Sequence, residues 1–123
     1  MTISPPDCLA FGPHVGLGRV LADIIAEREA QHGVHGVQHH LPDGTGPEWT
    51  YLAEQARAEC ERAAAAGQLT WRHILFEEVA EALAENNTNR LRAELVQVAA
   101  VGVQWLQAVD NRSVPATATG QES

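Results

Sequence analysis

The chain has 123 residues, 45% of them hydrophobic and 20% charged, a composition typical of an ordinary globular domain. Its 16 acidic residues outnumber its 8 basic residues, all of which are arginine, and the net charge of −8 disfavours non-specific binding to nucleic acid. No apolar run approaches the ~20 residues that span a bilayer, and the first twelve residues carry no basic residue. We therefore predict a cytoplasmic protein with no secretory signal and no membrane contact.

The first half of the chain predicts one helix followed by a long loop. Residues 1–15 hold three prolines and no periodic pattern, which favours a flexible lead-in. Helical spacing then begins at Leu17, and the helix is expected to end near Gly33. Glycines and prolines interrupt any regular element between His32 and Pro47, so we expect a loop of about 15 residues, a length that is often functional.

The second half predicts three more helices. One covers about Glu48 to Ala66, the next follows the capping residue Thr70, and the last runs from about Arg90 to Asp110. We therefore predict an all-α protein, a four-helix domain over residues 16–110, with a disordered tail over residues 111–123. Because the third and fourth helices are joined by so short a turn, they should lie antiparallel.

The fourth predicted helix is apolar without interruption from Val98 to Val103, and Trp105 and Leu106 extend the run. A helix that is apolar on every side is buried on every side, and a small four-helix monomer rarely buries any helix fully. We expect part of this helix to pack against a second subunit. The alternative is an internal helix covered by the loop and the N-terminal segment.

Two acidic motifs on the third and fourth helices predict a metal site. Glu78 and Glu81 are three residues apart, as are Glu94 and Gln97, so each pair shares one helix face. Both motifs border apolar positions, whereas a purely solvated face would oppose them. Three crowded carboxylates repel one another unless protons or a hard cation neutralise them. The pattern predicts a divalent cation held by these four side chains.

This arrangement resembles the MazG-type nucleotide pyrophosphohydrolases of the all-α NTP pyrophosphatase superfamily, which carry Glu-Glu-x-x-Glu on one helix and Glu-x-x-Asp on the next. Here the motifs are Glu77-Glu78-x-x-Glu81 and Glu94-x-x-Gln97. Residues 27–46 are also similar to a phage and bacterial branch with a Glu-Arg-x-x-Gln helix and a Pro-Asp-Gly-Thr loop, although His35 stands at the Trp position of that branch.

The resemblance implies a four-helix MazG-like bundle that is a homodimer or homotetramer. It also implies Mg²⁺, with Mn²⁺ as a substitute, and hydrolysis of a nucleoside triphosphate to the monophosphate and pyrophosphate. The carboxylate of Glu77 or Glu81 would position the attacking water as a base. Because lysine is absent, Arg72 and Arg90 are the candidate phosphate ligands.

The long loop is expected to cover the acidic site and contact the nucleotide through Gln38, His40 and Asp43, with Trp49 stacking on the base. Three alternatives stay open. Trp49 can instead pack in the core, the loop can be a plain exposed surface, and its four histidines can bind zinc, although no cysteine is near.

Gln97 is the chief departure from the resembled family, which has Asp at this position. A glutamine removes one negative charge from the site, so weaker metal binding is expected. The alternative function is therefore a catalytically weakened helical protein that binds a nucleotide or a protein partner. A third alternative is an interaction module that uses only the apolar run of the last helix.

Overall fold

The structure, a computed structural model, describes residues 14–112. Within this range the regular elements are all helices, and there is no β-strand. The predicted all-α class is therefore confirmed for this part of the chain. Most of the expected flexible lead-in and of the expected tail lies outside the described residues. The four α-helices are α1 Leu17–His35, α2 Thr50–Ala65, α3 Trp71–Leu83 and α4 Thr88–Arg112, and a short 3₁₀ helix Pro47–Trp49 precedes α2.

Local capping sets the helix boundaries. Thr70 begins α3 with a capping box, in which its hydroxyl accepts the His73 N–H and its own N–H donates to His73 Nδ1. The Asn87 side chain accepts the Arg90 N–H at 3.0 Å and so begins α4 after the short connection of residues 84–87. Thr70 lies where the sequence predicts a cap, whereas α4 begins two residues before the predicted start at Arg90. The α1 helix continues two residues beyond Gly33, because glycine lowers helix stability without ending the helix.

The contacts divide the chain into two compact units. One unit comprises residues 41–102. The other comprises, within the described chain, residues 14–40 and 103–112. The α4 helix therefore supplies its first part to one unit and its last part to the other. Nothing in this division tests the predicted single domain over residues 16–110, which stays a prediction.

Close packing of α2 against α3 forms the core of the unit 41–102. Ala53, Ala56 and Ala80 are buried together at this contact, and Leu52 and Ala84 pack at its edge. Alanine has the smallest apolar side chain that still favours a helix, so these three positions bring the two backbones close together. The polar residues that flank the alanines on the two helices are consequently brought within reach of one another.

Residues 36–46 form no helix, and Gly46 joins the end of this segment to α3. Its N–H donates to the Leu83 carbonyl at 2.8 Å, next to the helical turn that holds Glu81. Gly46 has φ = 155°, and a Cβ there would lie 2.6 Å from Glu48 Oε1. Only glycine fits this position without a shift of its surroundings.

The other unit is built on α1, whose Val20 is only 2% exposed. The Gln107 side chain, from the last part of α4, donates to the Val15 carbonyl at 2.8 Å just before α1 begins. Most of α1 is exposed, including Ile25 at 59% and Val34 at 76%. Among residues 14–112, no helix combines the length and the hydropathy that crossing a bilayer requires.

The apolar side chains of α4 are only partly buried in the single chain, and Val98, Val101, Val103 and Trp105 are half-buried. Leu91 is its one buried residue, whereas Leu95 and Val96 are about half exposed. The expected burial of this helix therefore does not occur within the described residues of one chain, and its packing against a second subunit stays a prediction.

The alanine contact between α2 and α3 can be tested with Ala80→Leu. Ala80 is fully buried, so the larger side chain should overpack the contact and lower the free energy of unfolding by about 1–3 kcal/mol. Chemical denaturation followed by circular dichroism measures the change. Ala93→Leu at an exposed position of α4 is the matched control and should change stability by less than about 0.5 kcal/mol. Equal effects of the two substitutions would contradict the packing described above.

Candidate metal centre

Three carboxylates converge where α3 faces the first half of α4. Glu78, Glu81 and Glu94 each offer an oxygen, and these three oxygens lie within 4.8 Å of one another. Glu78 and Glu81 share one face of α3 because they are three residues apart, and the four-residue connection brings Glu94 alongside them. In residues 14–112, no other group of three or more His, Cys, Asp or Glu side chains converges in this way.

Two oxygens of this cluster are removed from water without compensation. Glu78 Oε1 and Glu94 Oε1 are buried atoms, and neither accepts a hydrogen bond within the described part of the chain. A buried acceptor without a donor costs roughly 1–3 kcal/mol, and a charged one costs more. Such a pair of oxygens is stabilised by a proton or by a cation.

The surroundings of the cluster favour protonation of two of its members. Desolvation raises the pKa of Glu78, and the neighbouring carboxylates of Glu94 and Glu77 raise it further. Desolvation likewise raises the pKa of Glu81, as do the other acidic groups around it, while Arg57 acts in the opposite direction. Protonation at low pH thus relieves the crowding among these carboxylates.

Arg57 is the nearest cation to the cluster that the contacts identify. Its guanidinium Nη2 lies 3.8 Å from Glu81 Oε2, and the two side chains are 49% and 25% exposed. A partly exposed ion pair at this distance is worth less than about 1 kcal/mol. Arg57 therefore offsets only a small part of the repulsion among three carboxylates.

Glu77 lies on the side of α3 that contacts α2. Partial burial, followed by the hydrogen bond to the Glu77 carboxylate and nearby acidic charge, raises the pKa of the Cys60 thiol to about 11. The thiol is therefore protonated at neutral pH and can donate to Glu77. Of the two predicted catalytic carboxylates, Glu81 lies within the converging trio, whereas Glu77 lies beside it.

The fourth predicted ligand, Gln97, lies one helical turn after Glu94 on α4, and its side chain is exposed. The same i, i+3 spacing that aligns Glu78 with Glu81 places Gln97 on the face of Glu94. Its role as a fourth ligand stays a prediction, because the converging oxygens are those of Glu78, Glu81 and Glu94.

The two predicted phosphate ligands occupy the beginnings of different helices. Arg72 contacts Glu59 and His73, six residues before Glu78, which corresponds to about 9 Å along the axis of α3. Arg90 is exposed in the first turn of α4, where its backbone N–H bonds to Asn87. Arg90 precedes Glu94 by one turn on the same helix, so the two side chains share a face.

The predicted loop contacts fall in both units. Asp43 and Trp49 belong to the unit of the acidic cluster, and the Trp49 indole N–H donates to the Gly44 carbonyl at 3.1 Å. This bond closes the loop on itself and leaves Trp49 38% exposed. Gln38 and His40 belong to the other unit, where Gln38 lines a cavity with His32, His35 and His39.

Sequence reasoning did not single out Arg57 or Glu59, and it interpreted Cys60 only as a structural, unpaired cysteine in the apolar stripe of its helix. All three lie on α2, and their roles depend on which residues of α3 they face. That pairing is set by the alanine contact, which leaves only a thin apolar pattern in the sequence. Arg57 lies one helical turn after Ala53, and this spacing is the signal that would have pointed to it.

Comparisons of this chain with protein-family models, with curated proteins and with solved structures gave no match. The site is therefore interpreted from its own geometry, and the MazG-like resemblance stays a hypothesis based on the motifs alone.

Glu78→Gln tests the electrostatic description of the cluster. A carboxyl whose pKa is raised by folding contributes stability below its ordinary pKa of 4.5, and that contribution is lost as pH rises through the folded-state value. In metal-free protein, the amide should therefore raise the free energy of unfolding at pH 7–8, and the difference from wild type should shrink as pH falls toward 4.5. Urea denaturation with a chelator, repeated across this pH range, measures the effect.

Glu54→Gln is the matched control for that measurement, because it removes the same charge from an exposed position of α2. It should change stability little at any pH. A destabilised Glu78→Gln protein at neutral pH, with Glu54→Gln unaffected, would mean that the Glu78 carboxylate is satisfied as it stands.

Proposed function

We propose that this protein is a divalent-cation-dependent hydrolase of nucleoside triphosphates, releasing pyrophosphate and leaving the monophosphate. The observation that carries the proposal is the pair of buried, unpartnered oxygens of Glu78 and Glu94, which converge with an oxygen of Glu81. Carboxylates with perturbed pKa values cluster at functional sites, so this destabilising arrangement favours a functional role for the three residues.

The donor set supports a hard cation. Three carboxylates with an amide one turn away are oxygen donors, which suit Mg²⁺ or Mn²⁺, whereas zinc favours nitrogen and sulfur ligands. Glu78, Glu94 and Glu81 would hold the ion, and Gln97 would contribute its carbonyl oxygen. Mg²⁺ usually keeps several coordination positions for water and phosphate oxygens, so four protein donors leave room for a substrate.

The bound ion would screen the phosphates from an acidic protein and neutralise charge that develops on the transferred group. Glu81 is suited to orient and deprotonate the attacking water. Its raised pKa makes it a stronger base than an ordinary glutamate, and its side chain is 25% exposed, so water reaches it. Arg57 beside Glu81 acts in the opposite direction and slightly favours the ionised carboxylate.

Substrate contacts are assigned to groups around the cluster. Arg90, one turn before Glu94, is suited to a phosphate oxygen, and Asp43 and Trp49 come from the segment that Gly46 ties to the end of α3. Arg72, Gln38 and His40 remain further candidates. The half-exposed Leu95 and Val96 offer an apolar face for a second copy of the chain, so the proposed enzyme is a homodimer or homotetramer.

Glu81→Gln tests the proposed chemistry. The amide keeps the shape of the side chain but cannot accept a proton, so pyrophosphate release from a mixture of nucleoside triphosphates with Mg²⁺ should fall by at least about 100-fold. A coupled pyrophosphate assay measures this rate, and circular dichroism checks that the fold survives. The control is Glu54→Gln, which should retain wild-type turnover. Equal turnover in wild type and Glu81→Gln would refute the proposed role of this residue, and absence of turnover in wild type would refute the activity.

Gln97→Asp tests whether the amide limits the site. A fourth carboxylate one turn from Glu94 adds negative charge where a cation is proposed, so Mg²⁺ should bind more tightly and stabilise the protein more strongly. Thermal unfolding over a series of Mg²⁺ concentrations measures the gain. Gln104→Asp, two turns further along α4 and exposed, adds the same charge elsewhere and should leave Mg²⁺ affinity unchanged. An identical Mg²⁺ response in both variants would place the cation away from residue 97.

A further inference from the structure

A second group of charged side chains surrounds an open cavity of about 480 Å³ where α2 ends and α3 begins. Its lining includes Arg62, Arg72 and His73, together with the single carboxylate of Glu59. This chain has only eight basic residues and a net charge of −8. Two arginines and a histidine around one cavity therefore form a locally basic surface on an acidic protein.

The orientation of His73 is fixed by the cap of α3. His73 Nδ1 lies 3.1 Å from the Thr70 N and 2.6 Å from the Thr70 hydroxyl. In the tautomer in which Nδ1 accepts from Thr70, the hydrogen of the neutral ring is on Nε2, and the nearby Arg72 Nη2 is then a second donor that does not bond to it. The side chain is only 11% exposed, yet Nε2 is directed toward Glu59 and lies 3.5 Å from Arg72 Nη2. The ring therefore presents an N–H donor in a mostly buried and fixed position.

The Glu59 carboxylate occupies the place between these donors only loosely. Its Oε2 lies 3.8 Å from both Arg72 Nη1 and His73 Nε2, which is beyond hydrogen-bond distance. The Glu59 and Arg72 side chains are 45% and 66% exposed, so the pair is screened by water and contributes little stability. The Glu59 carboxylate therefore lies close to the basic side chains of Arg72 and His73 without forming hydrogen bonds to them.

We propose that this cavity binds a small phosphate-bearing anion, which displaces the Glu59 side chain. A phosphate carries more charge than a carboxylate and has oxygens in tetrahedral directions, so it can bond to Arg72, Arg62 and His73 Nε2–H together. The His73 N–H in the first turn of α3 is already taken by the Thr70 hydroxyl, so this backbone group is not among the proposed donors. The site requires neither the acidic cluster nor hydrolysis, and so goes beyond the proposed function.

Glu59→Gln is the decisive variant, because a phosphate-binding site and a purely structural role of Glu59 predict different changes in phosphate affinity. If Glu59 competes with the ligand, its removal should tighten phosphate binding by about two- to fivefold, the range expected for an exposed ion pair. If Glu59 only joins α2 to α3, its removal gains nothing for phosphate. Glu54→Gln removes the same charge from the same helix and should leave phosphate affinity unchanged.

The measurement is a titration of the full chain with inorganic phosphate at constant ionic strength, followed by the ¹H–¹⁵N signals of Thr70, Trp71 and His73. Parallel titrations with pyrophosphate and with a nucleoside monophosphate distinguish a free phosphate ligand from a phosphorylated metabolite. A chelator removes divalent cations, and the titration is repeated with Glu81→Gln. Phosphate binding that persists in both conditions separates this site from the acidic cluster, whether or not the proposed hydrolysis occurs.

Arg72→Gln should weaken phosphate binding about fivefold, whereas Arg92→Gln, at an exposed position of α4, should not. Arg62→Gln leaves both ion pairs of Glu59 intact and should cause a similar loss, so it replaces Arg72→Gln if that variant unfolds. Saturable shifts at the three signals, with tighter binding by Glu59→Gln, would support the site. Shifts that do not saturate, or Glu59→Gln no tighter than Glu54→Gln, would overturn it.

Discussion

Repulsion among carboxylates that are partly withdrawn from water is the constraint on which the rest of this site depends. Glu78 and Glu94 each have one buried oxygen without a donor, and Glu81 adds a third acidic group within 4.8 Å. The four-residue connection between α3 and α4 keeps these groups near one another. Protons or a cation would relieve the repulsion, so protonation of the cluster and binding of a cation compete with each other.

The contact between α2 and α3 determines how much of this charge the protein itself offsets. Small side chains at Ala53, Ala56 and Ala80 bring the two helices together, and Arg57 thereby reaches Glu81. A single, half-exposed guanidinium does not balance three carboxylates. The same helix pair brings a second set of charges together at its other end, where the basic side chains outnumber the acidic one. Its two ends thus have opposite electrostatic character.

Local patterns in the sequence were sufficient to predict the helices and the acidic trio. An i, i+3 spacing requires only a helix, and Thr70 and Asn87 mark helix beginnings through hydrogen bonds to residues three positions later. The partners supplied by α2 were not predictable in this way, because they depend on the register between two helices that meet through alanines. The predicted contact of Gln38 and His40 with a nucleotide at the cluster stays a prediction, since these residues belong to a separate compact unit.

The thiol of Cys60 carries one more consequence. Its raised pKa, about 11, keeps the thiol protonated rather than as the reactive thiolate at pH 7. Alkylating reagents and mild oxidants act on the thiolate, so this sulfur is chemically quiet even though it touches the acidic residues of α3. Mild oxidants would then not change the charge next to Glu77. A thiol-reactive label aimed elsewhere on the chain would react with this position only slowly.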